Sequence, residues 1–75
     1  MWEIKNNQLV KEFQFESFEE AITFINNIAP LCSQENHHPE IVNVYNKVQL
    51  SFCTHDAGNT ITELDYKLAR LIDSL

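Results

Sequence analysis

Three histidines, His37, His38 and His55, are the side chains in this sequence best suited to chemistry at neutral pH. Free imidazole titrates at about 6.5, so it can both give and take a proton there. Glu35, Asp56 and Asp65 place carboxylates around them. The set suits proton transfer, and addition or removal of water at a heterocycle lies within its reach. Other chemistries lack their parts. The single glycine cannot make a Gly-rich phosphate cradle. Neither cysteine has an evident oxyanion site beside it, so Cys-His covalent catalysis is not expected. Zinc would compete for Cys32, His37, His38, Cys53 and His55. The spacing contains no Cys-x-x-Cys pair, and Cys32 falls on an apolar helix face, where it reads as core. We therefore expect no metal, and two free thiols rather than a bridge.

The elements must bring these residues together. Ile41 to Tyr45 reads as a third strand and Val48 to Thr54 as a fourth, with Asn46 and Lys47 at the turn. His37 and His38 precede this hairpin and His55 follows it. Antiparallel pairing makes those two ends neighbours. Pro39 holds His38 in an extended conformation. Thr54, Thr60 and Thr62 read as turn and cap residues, and Tyr45 as packing beside the turn.

Upstream, Trp2 to Lys5 forms a short first strand and Asn6-Asn7 a turn. In the second strand Leu9, Lys11, Phe13 and Phe15 share one side, with Val10, Glu12 and Gln14 on the other. Ser17 and Glu20 have the spacing of a capping box. Phe18, Ala21, Ile22, Ile25, Ile28, Ala29 and Cys32 make the apolar face of a first helix. Pro30 should end that helix near Ala29, or kink it before a further turn to Gln34. Glu35 to Pro39 is a polar connection. On the fourth strand Val48, Leu50 and Phe52 face one way, and Gln49, Ser51 and Cys53 the other. Thr62 caps a last helix with Asp65 at its third position, and Leu64, Leu68, Leu71 and Leu75 form its stripe beside Ile72. The order β-β-α-β-β-α predicts an α+β fold: a four-stranded antiparallel sheet with two helices on one face.

Seventy-five residues make one domain, residues 1–75. The chain is too short for a full dinucleotide-binding unit or a barrel. A chain this size hides only about 60–65% of its unfolded surface, which favours self-association. The formal charge of -6 argues against nucleic acid and anionic membranes as partners. No apolar run is long enough to span a bilayer, and the N-terminus does not read as a signal peptide. The expected location is the cytoplasm, with reduced thiols.

The stretch from Asn36 to Ala69 resembles the pterin-4a-carbinolamine dehydratase family. The likeness rests on His37-His38-Pro39, Tyr45-Asn46-Lys47-Val48, Thr54-His55-Asp56 and the helix start from Thr62 to Asp65. Phe15, Phe18, Glu20-Ala21 and Phe24 extend it upstream, so it covers roughly residues 2 to 73. It implies dehydration of 4a-hydroxytetrahydropterin to quinonoid dihydropterin, the step that restores the cofactor spent by aromatic amino-acid hydroxylases. It implies a metal-free pocket without a cofactor and a homodimer or homotetramer. His37 and His55 would be acid–base groups, and His38 would contact or deprotonate the ring. Pro39, Thr54 and Asp65 would join His38 and His55 in holding substrate. Ser33 departs from the family, which usually has an acid four positions before the first histidine. Glu35 is out of register with that position. The alternative is a non-catalytic pterin binder or a protein dimerisation module.

Overall fold

A computed structural model of the chain describes residues 1–75. Strands β1 (Glu3–Lys5) and β2 (Gln8–Gln14) form a hairpin through Asn6 and Asn7. Both turn residues have positive φ, 53° and 61°, as a two-residue turn matched to strand twist requires. Helix α1 (Phe18–Gln34) follows, then β3 (Glu40–Val44) and β4 (Lys47–Phe52). A short 3-10 turn at His55–Ala57 leads to helix α2 (Glu63–Asp73). The strands pair antiparallel in the order β1-β2-β4-β3. The architecture is the expected β-β-α-β-β-α, with both helices on one face.

Register explains the core. Leu9 lies opposite Phe52, Lys11 opposite Leu50 and Phe13 opposite Val48, so one face of β2 and β4 carries the apolar set. The helices cover that face with Ala21, Ile28 and Cys32 from α1 and Leu68, Ala69 and Ile72 from α2. Lys11 is tolerated on the covered side because its stem runs outward past aromatic rings. Its Nζ lies 4.9 Å from the Phe13 ring centroid and 2.9 Å from Asp73 Oδ1. Asp73 also accepts a bond from Trp2 Nε1 at 3.0 Å, which pins the start of the chain to α2.

Several local expectations need correction. The β3–β4 turn is Tyr45-Asn46, one residue earlier than expected, and Lys47 already pairs with Val44. Tyr45 takes a positive φ of 52°, and the Asn43 amide clamps the turn by donating to the Tyr45 and Lys47 carbonyls. Strand β4 stops at Phe52, so Thr54 joins only an isolated bridge to Thr60. Of the two outcomes expected at Pro30, helix α1 takes the longer and runs through it to Gln34. Pro30 and Asn26, whose carbonyl loses its helical donor, are both exposed, so no buried group is stranded. Phe18 and Ala29 are exposed, while Phe24 packs between Phe13 and Phe15 at 4.7 and 5.0 Å. At Ser17 the hydroxyl accepts the Glu20 N–H at 3.1 Å, but the Glu20 carboxylate takes the N–H of Glu16 rather than of Ser17. On α2 the buried line is Asp65, Leu68, Ala69 and Ile72, while Leu75 lies beyond the helix and is exposed.

Candidate active site

Helix α1 ends in a way that aims a histidine. Asn36 adopts the left-handed conformation at φ 50°. Its N–H bonds to the Ser33 carbonyl at 3.1 Å, and the His37 N–H bonds to the Cys32 carbonyl at 2.9 Å. This pair of bonds is the Schellman motif. It turns the chain so that the His37 ring stacks on Phe52, centroids 5.8 Å apart and planes at 21°. From there the chain enters β3 at one end of the sheet.

Behind His37 lies a fully buried carboxylate. His37 Nε2 donates to Asp65 Oδ1 at 2.5 Å. Asp65 Oδ2 accepts from Thr54 Oγ1 and from the Thr62 N–H, each at 2.8 Å. Thr62 Oγ1 lies 2.7 Å from Thr54 Oγ1 and, since Thr54 gives its proton to Asp65, donates to it. Thr62 and Asp65 thus cap α2 while Thr54 ties β4 to the cap. Burial alone would push the Asp65 carboxyl up; bonds from His37, Thr62 and Thr54 outweigh it and hold the group below the usual carboxylate range.

Asp56, Thr54 and the three histidines line one hollow of about 320 Å³, together with Asn36 and Leu64. That volume lies at the small end of the range for ligand pockets, roughly 300–1,000 Å³. His37 is buried at its back, and His38 and His55 are exposed at its rim. His38 and His55 also border a smaller hollow, about 190 Å³, on the uncovered sheet face beside Gln8, Glu40, Ser51 and Cys53. The hairpin therefore does gather the three imidazoles. Pro39 is half-buried and is not among the lining residues. Asp65 is reached only through His37 and Thr54, because it has no exposed surface. Ser33 is exposed and off the hollow. Glu35 caps α1 and pairs with Lys67 at 3.0 Å.

Asn36, Leu64 and Asn59 were missed in the sequence. Asn just past a helix is a stop signal that could have revealed the first. Asn59 Oδ1 sits 2.6 Å from His55 Nδ1. Cys32 and Cys53 are both free and buried, and burial pushes the Cys32 thiol up. No three His, Cys, Asp or Glu side chains gather in a way that could hold a metal.

The family described as Pterin 4 alpha carbinolamine dehydratase matches residues 1–75. The chain belongs to the pterin-4a-carbinolamine dehydratase family. A Sulfurisphaera tokodaii protein named for this dehydratase is 46% identical over 74 residues, spanning 99% of this chain and 78% of that one. A Prochlorococcus marinus protein of the same name is 47% identical over 74 residues, covering 99% and 77%. The crystal structure of a transcriptional coactivator/pterin dehydratase from Brucella melitensis superposes with a TM-score of 0.91 at 33% identity, over 97% of this chain and 79% of that one. The fold is also shared with a pterin dehydratase-like protein that serves as a RuBisCO assembly factor in the alpha-carboxysome. There the TM-score is 0.77 at 23% identity, over 99% and 84% of the two chains. In dehydratase terms, the histidine cluster of this chain sits where the fold brings α1, β4 and α2 to one end of the sheet.

Proposed function

We propose that this chain dehydrates a 4a-hydroxytetrahydropterin to the quinonoid dihydropterin, with His37, His38 and His55 moving the protons. The observation that carries the reading is the gathering of three imidazoles on one hollow, one of them backed by a buried carboxylate. In the step, the C4a–O bond breaks as the departing hydroxyl takes a proton and leaves as water. The N5–H bond yields its proton to a base, and its electrons form the N5=C4a bond. No electron is exchanged, so the balanced step needs no redox cofactor. His37 has Nε2 committed to Asp65, so its Nδ1 serves the substrate. His37 and His55 act as the acid–base pair, and His38 meets the ring at the rim. Thr54 shapes the substrate-holding wall, while Pro39, off the lining, keeps the backbone of His38 extended. Asp65 acts through His37 and Thr54 as a positioning residue.

The same reading has residues 1–75 work as one unit, in the cytoplasm, as a homodimer or homotetramer, with neither nucleic acid nor membrane as partner. Support for self-association comes from β3, a free sheet edge that exposes Ile41, Val42 and Val44. No helix is long and apolar enough to cross a membrane, and the charge of -6 disfavours phosphate backbones. Ser33 favours a second reading, a pterin binder or dimerisation module without turnover.

The test is the dehydration rate of freshly generated 4a-hydroxytetrahydropterin with and without the protein, beside a folded His55→Ala variant. Acceleration that falls about tenfold or more in the variant is expected. No acceleration over the spontaneous reaction overturns the enzymatic reading. Pterin binding without turnover would then select the binder.

A further inference from the structure

We infer that Asn59 is a positioning residue for His55: its side-chain oxygen holds the imidazole as the Nδ1–H tautomer and leaves Nε2 as a bare acceptor. The mechanistic use of that tautomer rests on the dehydratase reading above.

The geometry starts in the loop. Thr54 N–H bonds to the Thr60 carbonyl at 2.8 Å, and the Thr54 carbonyl accepts from Ala57 at 3.2 Å and from Asn59 at 3.1 Å. The His55 carbonyl takes the Gly58 N–H at 3.0 Å. These bonds close residues 54–60 into one compact loop. Gly58 and Asn59 both have positive φ, 84° and 59°. Asparagine is among the few side chains that tolerate that region. The result carries Asn59 back over the His55 ring. Its Oδ1 is 2.6 Å from Nδ1, and this is the only side-chain hydrogen bond His55 makes. An amide oxygen can only accept, so Nδ1 carries the proton. A neutral imidazole with Nδ1–H has its lone pair on Nε2.

The contrast with His37 gives the contact a purpose. His37 donates through Nε2 to a carboxylate, while His55 donates through Nδ1 to a neutral amide. The two rings that line the hollow thus leave opposite nitrogens uncommitted, and only His37 is backed by an ionised group. We assign His37 to protonate the leaving hydroxyl and the bare Nε2 of His55 to accept the N5 proton. The other titratable groups around His55 are Asp56, His37 and His38 in the larger hollow, and Glu40 and Cys53 in the smaller one.

The experiment reads the tautomer directly, by long-range 1H–15N NMR of the His55 ring in the full chain, and the dehydration rate in parallel. The variants are Asn59→Gly, which keeps the left-handed backbone accessible, and Asn59→Asp, which restores an acceptor. The parent protein should show Nδ1–H at His55, and Asn59→Gly should shift the ring toward Nε2–H. The rate should fall at least about tenfold, part of the roughly 10²–10⁴-fold a general base supplies. Asn59→Asp should recover the tautomer and move the acid limb of the rate profile to higher pH, because a carboxylate favours the charged imidazole. An Nε2–H tautomer in the parent overturns the contact. A tautomer lost in Asn59→Gly with no change in rate overturns its role. A parent protein with no turnover sinks the dehydratase reading and the catalytic role with it, while the spectrum still decides the contact.

Discussion

Asp65 concentrates more of this molecule's behaviour in one side chain than any other residue. It has no exposed surface and takes three donors, from His37, Thr54 and Thr62. Its native carboxyl titrates below the ordinary value of about 4. A group depressed in this way contributes stability that is fully present above the unfolded value and is lost as pH falls through the native one. Unfolding followed by urea from pH 7 down to pH 3 should therefore show a loss of stability beginning below about pH 4. Asp65→Asn should remove that part of the acid dependence. At pH 7 it should cost about 2–3 kcal/mol, because an amide nitrogen would face donors in a buried site. A variant as stable as the parent at pH 7, with an unchanged acid limb, would show that the carboxylate is not ionised in the native state.

At the scale of elements, α1 starts at Ser17 as its cap signal predicts, and its C-terminal end is set by Asn36 rather than by Pro30. Pro30 reads as either a stop or an interruption before a further turn, and the helix passes through it because the position is exposed and the apolar face continues to Cys32. Pro30→Ala should restore a helical hydrogen bond and raise stability by about 1–2 kcal/mol in thermal unfolding, less than the full proline penalty of about 3 because the native chain already accommodates the ring. The true stop is Asn36. Asn36→Ala should cost about 1 kcal/mol from its positive φ, and Asn36→Gly close to nothing. Asn36→Ala should also slow dehydration, since the same motif sets His37. The alternation of Leu9, Lys11 and Phe13 against Val48, Leu50 and Phe52 made the sheet legible, because register ties apolar periodicity to one covered face. The gathering of the histidines followed from antiparallel pairing alone. The Asp65 network did not, because a capping acid and a buried acid have the same local signature. Only the tertiary contacts with His37 and Thr54 decide between them. The turn slipped by one residue because Tyr45 takes a left-handed conformation that aromatic side chains rarely adopt.

For the whole molecule, only 14 of 75 residues are buried, so little apolar area opposes the chain entropy. A second copy pairing along β3 would cover Val42 and Val44 and satisfy a free row of backbone groups. Val44, 68% exposed, can be exchanged for lysine without disturbing the core. If the chain self-associates along β3 as proposed, Val44→Lys should shift sedimentation toward the monomer and lower the unfolding midpoint. An unchanged oligomer would place the interface on the helices instead. The Asp73 clasp to Trp2 and Lys11 is a second consequence of a thin core, since it fastens the short strand β1, which pairs with one neighbour only.

That clasp also makes the protein its own optical instrument. Trp2 is the sole indole in the chain. Its ring lies 6.0 Å from Phe52, and His37 lies 5.8 Å from the same phenyl. Fluorescence emission therefore originates one ring away from the imidazole that closes the back of the hollow. Adding a pterin should change Trp2 intensity without any attached dye. Asp73→Asn should alter the emission maximum while leaving the pterin-induced change in place, which would separate the clasp from the site by light alone.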